Sequence, residues 1–176
     1  MNIIDITKKL PFKNSNGKMD MKKMDTLVVH HDGTTRPMFY DSLKRYIGEA
    51  NYHISKEWGH ISYHYIIDNV GDIFKCLADD EVGYHAGNLT VNKNSIAIKF
   101  DGNMDVQKPT DKQLKAYGEL IEYLTTQRPD LPKILKSSIK GHRDIKATAC
   151  PGKNLYQLIQ IKASPVCTHC PVHCPK

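Results

Sequence analysis

Three groups of residues in this 176-residue chain bring together side chains able to hold a metal or move a proton: His30-His31, Tyr63-His64, and a segment running from Gly141-His142-Arg143 to Thr148-Ala149-Cys150-Pro151-Gly152. His142 precedes Cys150 by eight positions, a distance over which a loop folds back and lets imidazole and thiol meet one ion. The pattern puts Cys150 at a helix start, where free N–H groups and the helix dipole favour thiolate over thiol. Two imidazoles and one thiolate leave zinc one open tetrahedral position, the arrangement that lowers the pKa of a water to about 7. Spacing alone decides little. With nine histidines in the chain, a pair at this separation also arises by chance, and the ordinary alternative for any one of them is a surface or hydrogen-bonded core histidine. A thiol hydrolase pairing Cys150 with His142 would use the same residues and would survive chelation, whereas a metal enzyme would not.

Elements that end at these groups can be read from periodicity. A first strand spans 26–30 and delivers His30-His31; a helix spans 39–51, with Phe39, Leu43, Tyr46, Ile47 and Ala50 on one face. Residues 63–68 and 73–75 form a hairpin around Asn69-Val70-Gly71-Asp72, and 95–100 form another strand. A helix over 111–127 is capped by Thr110 with Gln113 three residues on and stopped by Pro129. A strand at 139–141 and a helix at 155–161 complete the order. Interleaved strands and helices predict an α/β fold: a single domain whose central mixed β-sheet is flanked by helices on both faces.

The domain is placed at 1–162, with 1–25 as an N-terminal arm and loop and 163–176 as a Cys/His-rich tail. Hydrophobic residues at 40% and charged residues at 25% support a packed core and exclude wholesale disorder. No apolar run approaches the roughly 18–20 residues that span a bilayer. The start, Met1-Asn2-Ile3-Ile4-Asp5-Ile6-Thr7-Lys8-Lys9, reverses the order of a secretory signal, so synthesis in the cytoplasm without a signal peptide is expected. A net charge of +6 draws the protein to polyanions, but the basic residues are scattered and no nucleic-acid stripe is expected. Cys76 reads as a small buried hydrophobe. Cys167, Cys170 and Cys174, with His169 and His173, sit too close together for an unstrained four-coordinate zinc site, and read as a tail that binds metal only adventitiously.

The flanking residues add a family. Val28-Val29-His30-His31-Asp32-Gly33-Thr34, Ser62-Tyr63-His64-Tyr65-Ile66-Ile67, Val82-Gly83-Tyr84-His85-Ala86-Gly87-Asn88, Asn94-Ser95-Ile96-Ala97-Ile98, and Gly141-His142-Arg143 with Thr148-Ala149-Cys150-Pro151-Gly152 stand in family order over about residues 26–160. They resemble the zinc N-acetylmuramoyl-L-alanine amidases, the family of T7-type phage lysozymes and peptidoglycan recognition proteins. The resemblance implies one catalytic zinc held by His30, His142 and Cys150, and Tyr63 beside it to steady the substrate carbonyl or its oxyanion. Thr148 stands where the T7-type enzymes carry lysine, and offers a hydroxyl without charge; Lys99 stands where cytoplasmic amidases of this fold carry a glutamate. His85 is expected to line the substrate groove, with Asn88 and Asn94 as further substrate contacts or turn stabilisers. His64, facing away from Tyr63 by strand alternation, reads as packed. Trp58 is expected to bury against the first helix.

The implied activity is zinc-dependent hydrolysis of the amide between N-acetylmuramic acid and L-alanine in peptidoglycan. A monomeric endolysin fits, released to the wall through a holin or on lysis and held by charge on anionic wall polymers. The alternatives are a non-catalytic peptidoglycan-binding module, which typically lacks the cysteine, and a cytoplasmic muropeptide-recycling amidase.

Overall fold

The structure is a computed structural model and describes residues 1–35, 37–131 and 136–162. The tail at 163–176, with the metal-binding role weighed for Cys167, Cys170 and Cys174, lies outside the described residues. In chain order the elements are β1 (Ile3–Asp5), β2 (Thr26–His31), α1 (Ser42–Ser55), β3 (Tyr65–Ile67), β4 (Ile73–Lys75), α2 (Leu89–Lys93), β5 (Ser95–Phe100), α3 (Asp111–Thr126), β6 (Ile139–Gly141) and α4 (Lys153–Lys162).

One six-stranded sheet runs β1-β4-β3-β5-β2-β6. Only β3 and β4 pair antiparallel; every other neighbouring pair is parallel. Successive side chains of a strand face opposite ways. Leu27, Val29, Tyr65, Ile67, Ile96, Ile98 and Phe100 therefore share one face, where Tyr117, Leu120 and Leu124 of α3 and Leu155 and Ile159 of α4 cover them. On the other face Ile66 and Phe74 pack with Tyr46 and Ala50 of α1. The predicted mixed sheet with helices on both faces is the observed architecture.

Boundaries differ where non-local contacts outweigh the local pattern. Residues 3–5, read as an arm, form an edge strand parallel to β4. The following loop is docked: Ser15 Oγ and the Asn16 N–H donate to Glu81 Oε1 at 2.5 and 2.9 Å, and Met19 and Met24 are buried. α1 begins at Ser42, because Asp41 caps it by accepting the Lys44 N–H at 2.9 Å, and Phe39 is left exposed. β3 starts at Tyr65 because the ladder changes character just before it. The His64 N–H donates to the Ala97 carbonyl, but the Ala97 N–H donates to the His64 ring Nδ1 at 3.0 Å. The expected Thr110–Gln113 capping box is present in α3.

Candidate metal centre

β2 and β6 are parallel neighbours with Val29 opposite Gly141, so His30 and His142, one residue further on, emerge at the same edge of the sheet. The chain turns tightly over residues 142–144 and returns through Cys150 towards α4. Two hydrogen bonds pin that return: the Arg143 N–H donates to the Cys150 carbonyl at 2.9 Å, and the Cys150 N–H donates to the Thr148 side-chain Oγ1 at 3.2 Å. One ligand atom from each of His30, His142 and Cys150 then lies within 4.8 Å of the others. His30 Nδ1 is 3.6 Å from Cys150 Sγ, and the two imidazole centroids are 4.7 Å apart.

Burial, reinforced by the neighbouring imidazoles of His85 and His142, holds His30 well below the ordinary histidine range. Burial likewise lowers His142, with Lys146 adding to it. Both rings are thus neutral near pH 7, the form that ligates a metal. Burial pushes the Cys150 thiol up to about 12, opposed by the His31 N–H that donates to Sγ at 3.4 Å. This corrects the expectation of a thiolate favoured by a helix N-terminus: α4 begins only at Lys153, and Cys150 is half-buried with its thiol raised. A bound divalent cation is what deprotonates such a thiol. Two neutral imidazoles and a sulfur form a donor set that fits zinc.

The outer nitrogens of both histidines are engaged. His30 Nε2 lies 3.0 Å from His85 Nδ1, and His85 Nε2 lies 3.2 Å from Ser95 Oγ. His142 Nε2 lies 3.3 Å from the Ala86 carbonyl, and the Ala86 N–H is held by Asn92 Oδ1 at 2.8 Å. His31 points to the other face, where its Nδ1 accepts the Met104 N–H at 3.0 Å. His64 is fully buried with both nitrogens committed, to the Ala97 N–H and the Glu81 carbonyl.

Tyr63 is half-buried, its ring centroid 5.3 Å from that of His30, and its hydroxyl has no protein hydrogen-bond partner among the described residues. Burial, then the charge of Glu49, raises its pKa, so it remains a proton donor. Two clefts flank the centre and share Trp58. One, of about 510 Å3, is lined by Tyr84, His85, His142 and Lys146; the other, of about 470 Å3, by Asp32, Arg45, Glu49, His53 and Tyr63. Trp58 does lean on α1, 5.1 Å from the His53 ring, but stays 37% exposed as the wall between the clefts.

The remaining predicted residues stand apart from the three ligand candidates. Asn88 caps α2 by accepting the Val91 N–H at 3.2 Å, and Asn94 follows α2, its carbonyl accepting the Asp25 and Thr26 N–H groups. Thr148 is exposed, its hydroxyl turned to the Cys150 backbone. Sequence reasoning missed Ser95 and the Ala86 carbonyl as supports of the site. It also missed a buried ionic network in which Lys99 Nζ meets Glu49 Oε2 at 2.5 Å and Asp101 Oδ1 at 3.2 Å, while Arg45 bridges Asp101 at 2.8 Å and Asp32 at 2.6 Å. The signal was there: a lysine at an inward position of an isoleucine-rich strand needs a partner.

The protein is thus a single α/β domain whose mixed sheet presents a His/His/Cys cluster beside a tyrosine at one edge. Residues 20–153 match the model of the family described as N-acetylmuramoyl-L-alanine amidase, and the chain belongs to that family. Among curated relatives it is similar to peptidoglycan-recognition protein SD of Drosophila simulans, 34% identical over 62% of this chain and 57% of that protein. It is also similar to peptidoglycan recognition protein 1 of Mus musculus, 32% identical over 58% and 54%. The matches thus span little more than half the length of these relatives. Among solved structures, Drosophila peptidoglycan recognition protein SD superposes with a TM-score of 0.78 at 26% identity, over 91% of this chain and 94% of the other. The N-acetylmuramoyl-L-alanine amidase LysC from Clostridium intestinale URNW gives 0.74 at 23%, over 92% and 97%.

Proposed function

We propose that this protein is a zinc-dependent N-acetylmuramoyl-L-alanine amidase that cuts the bond between muramic acid and L-alanine in the bacterial wall. The observation that carries the reading is the convergence of His30, His142 and Cys150 within 4.8 Å. These three side chains would hold the ion. When bound, zinc supplies Lewis acidity at the scissile carbonyl and acidifies water at neutral pH. Tyr63 donates its free hydroxyl to the oxygen on which negative charge develops. His64 and His85 have both ring nitrogens engaged within the protein, so neither is free to carry a proton to the leaving amine. Lys146, with no ion-pair partner among the described residues, lies in the cleft beside His142 and offers acidic groups of the substrate the cation that Thr148 lacks.

The likeness to the endolysin N-acetylmuramoyl-L-alanine amidase LysCS from Clostridium intestinale URNW supports a lytic role on the wall, and the net charge of +6 suits retention on anionic wall polymers. No helix among the described residues is long and apolar enough to cross a membrane. The second reading, wall binding without hydrolysis, is favoured by the recognition proteins among the relatives. Cys150 argues for catalysis.

Zinc content and stem-peptide release from purified murein sacculi test the proposal. Cys150→Ser is expected to lose tightly held zinc and hydrolysis together. Tyr63→Phe is expected to keep zinc and lose roughly 100- to 1000-fold in kcat, the scale of an oxyanion donor. Full hydrolysis by Cys150→Ser would overturn the mechanism, and sacculi bound but uncut by the zinc-loaded parent would establish the binding module.

A further inference from the structure

A histidine can offer a metal only the ring nitrogen that carries no proton, so a His site must settle where its protons sit. The chain His30–His85–Ser95–Val91 settles it by a rule of donors and acceptors. At its far end Ser95 Oγ lies 2.6 Å from the Val91 carbonyl, a group that only accepts, so the serine proton points there. The remaining Ser95 lone pairs face His85 Nε2 at 3.2 Å, which places the His85 proton on Nε2 and leaves its Nδ1 bare. That bare Nδ1 faces His30 Nε2 at 3.0 Å and takes its proton in a hydrogen bond, leaving His30 Nδ1 bare on the side of Cys150 Sγ. The opposite order would aim an N–H of His30 at the sulfur and close the site.

We propose that His85 and Ser95 are positioning residues that fix the proton order of His30 so that its Nδ1 is presented as a ligand. The inference rests on the metal reading above and goes beyond it. The same short segment serves the second imidazole, since the Ala86 carbonyl takes the proton of His142 Nε2 and leaves His142 Nδ1 bare. His85-Ala86 is thus one clamp on two ligands, tied to α2 through Asn92. Outer hydrogen bonds of this kind hold ligand orientation, and their loss typically costs about 10- to 100-fold in metal affinity.

Two measurements test this. Long-range 1H–15N correlation spectra of the metal-free parent should show His30 and His85 each protonated at Nε2; His30 protonated at Nδ1 would overturn the proposal. Zinc affinity by competition with a chromophoric chelator should fall roughly 10- to 100-fold in His85→Leu and by less in Ser95→Ala. His85→Asn, whose Oδ1 falls near the lost Nδ1, should keep most of the parent affinity. A residue that only contacts substrate would leave zinc affinity untouched, so a folded His85→Leu binding zinc like the parent would also overturn it. A parent with no zinc affinity would sink the metal reading alone, while the spectra would still decide the proton order.

Discussion

The two faces of one strand pair divide the work of the molecule. In β2 and β5 one face carries Leu27, Val29, Ile96, Ile98 and Phe100, apolar, fully buried and packed under α3 and α4, with the half-buried His31 only at its carboxyl end. Their immediate neighbours on the other face are Val28, His30, Ser95, Ala97 and Lys99, equally buried but with three polar side chains among them. Burial is the same on both sides, so burial does not mark function; the chemistry of what is buried does. On the apolar face each side chain is stabilised by area removed from water. On the polar face each group needs a specific partner, and the partners form chains that end at the candidate metal centre or at the Lys99–Asp101–Arg45 network.

The comparison breaks if damage to the apolar face travels to the site. Leu120→Ala empties a fully buried position of α3, and a loss of about 2–5 kcal/mol in unfolding free energy is expected. Measured below its own melting transition, the variant should bind zinc as tightly as the parent. A zinc affinity that falls together with stability would mean that the two faces are mechanically coupled through the sheet.

Acid should act on the polar face first. Burial lowers His64, which is fully buried, and His53 each to about 4. Such a group binds a proton more readily unfolded than folded, so its stabilising contribution is complete above about pH 6.5 and is lost as pH falls towards 4. The linkage amounts to about 3 kcal/mol for His64. Urea titrations of the metal-free protein between pH 7 and 4 should show that decline, and His64→Gln should flatten it even if it lowers stability at pH 7. An unchanged slope in a folded His64→Gln would remove His64 from the account.

Legibility in the sequence follows the same division. The apolar face was readable because α3 and the strands β2 and β5 repeat their pattern over many residues. β1, with three residues paired to a strand far along the chain, and α2, with five, are too short for any period to register. The candidate ligands His30, His142 and Cys150 are named as a set only by resemblance; spacing could not bring His30 to the other two, because that approach is made by the β2–β6 register. The supports of the site were invisible for a different reason. Ala86 and Val91 act through main-chain carbonyls, and no side-chain type announces a carbonyl. Asn88 and Asn94 were readable as turn residues, and the structure uses Asn88 in that way.

The smallest expected effect sharpens the comparison at its edge, where the polar face meets solvent. Lys146 lies against Gly87, whose φ of +64° suits glycine and where a Cβ would come within 2.9 Å of the ammonium. The lysine is exposed, so its pull on acidic groups of a substrate is screened by water and salt, and exposed ion pairs are worth at most about 1 kcal/mol. Lys146→Met should therefore raise KM for sacculi by no more than about fivefold, with kcat little changed, and the difference should shrink as salt is added. A large fall in kcat that salt does not touch would place Lys146 at the reacting atoms themselves, and the polar face would then extend its catalytic groups beyond Tyr63 into the loop that carries Cys150.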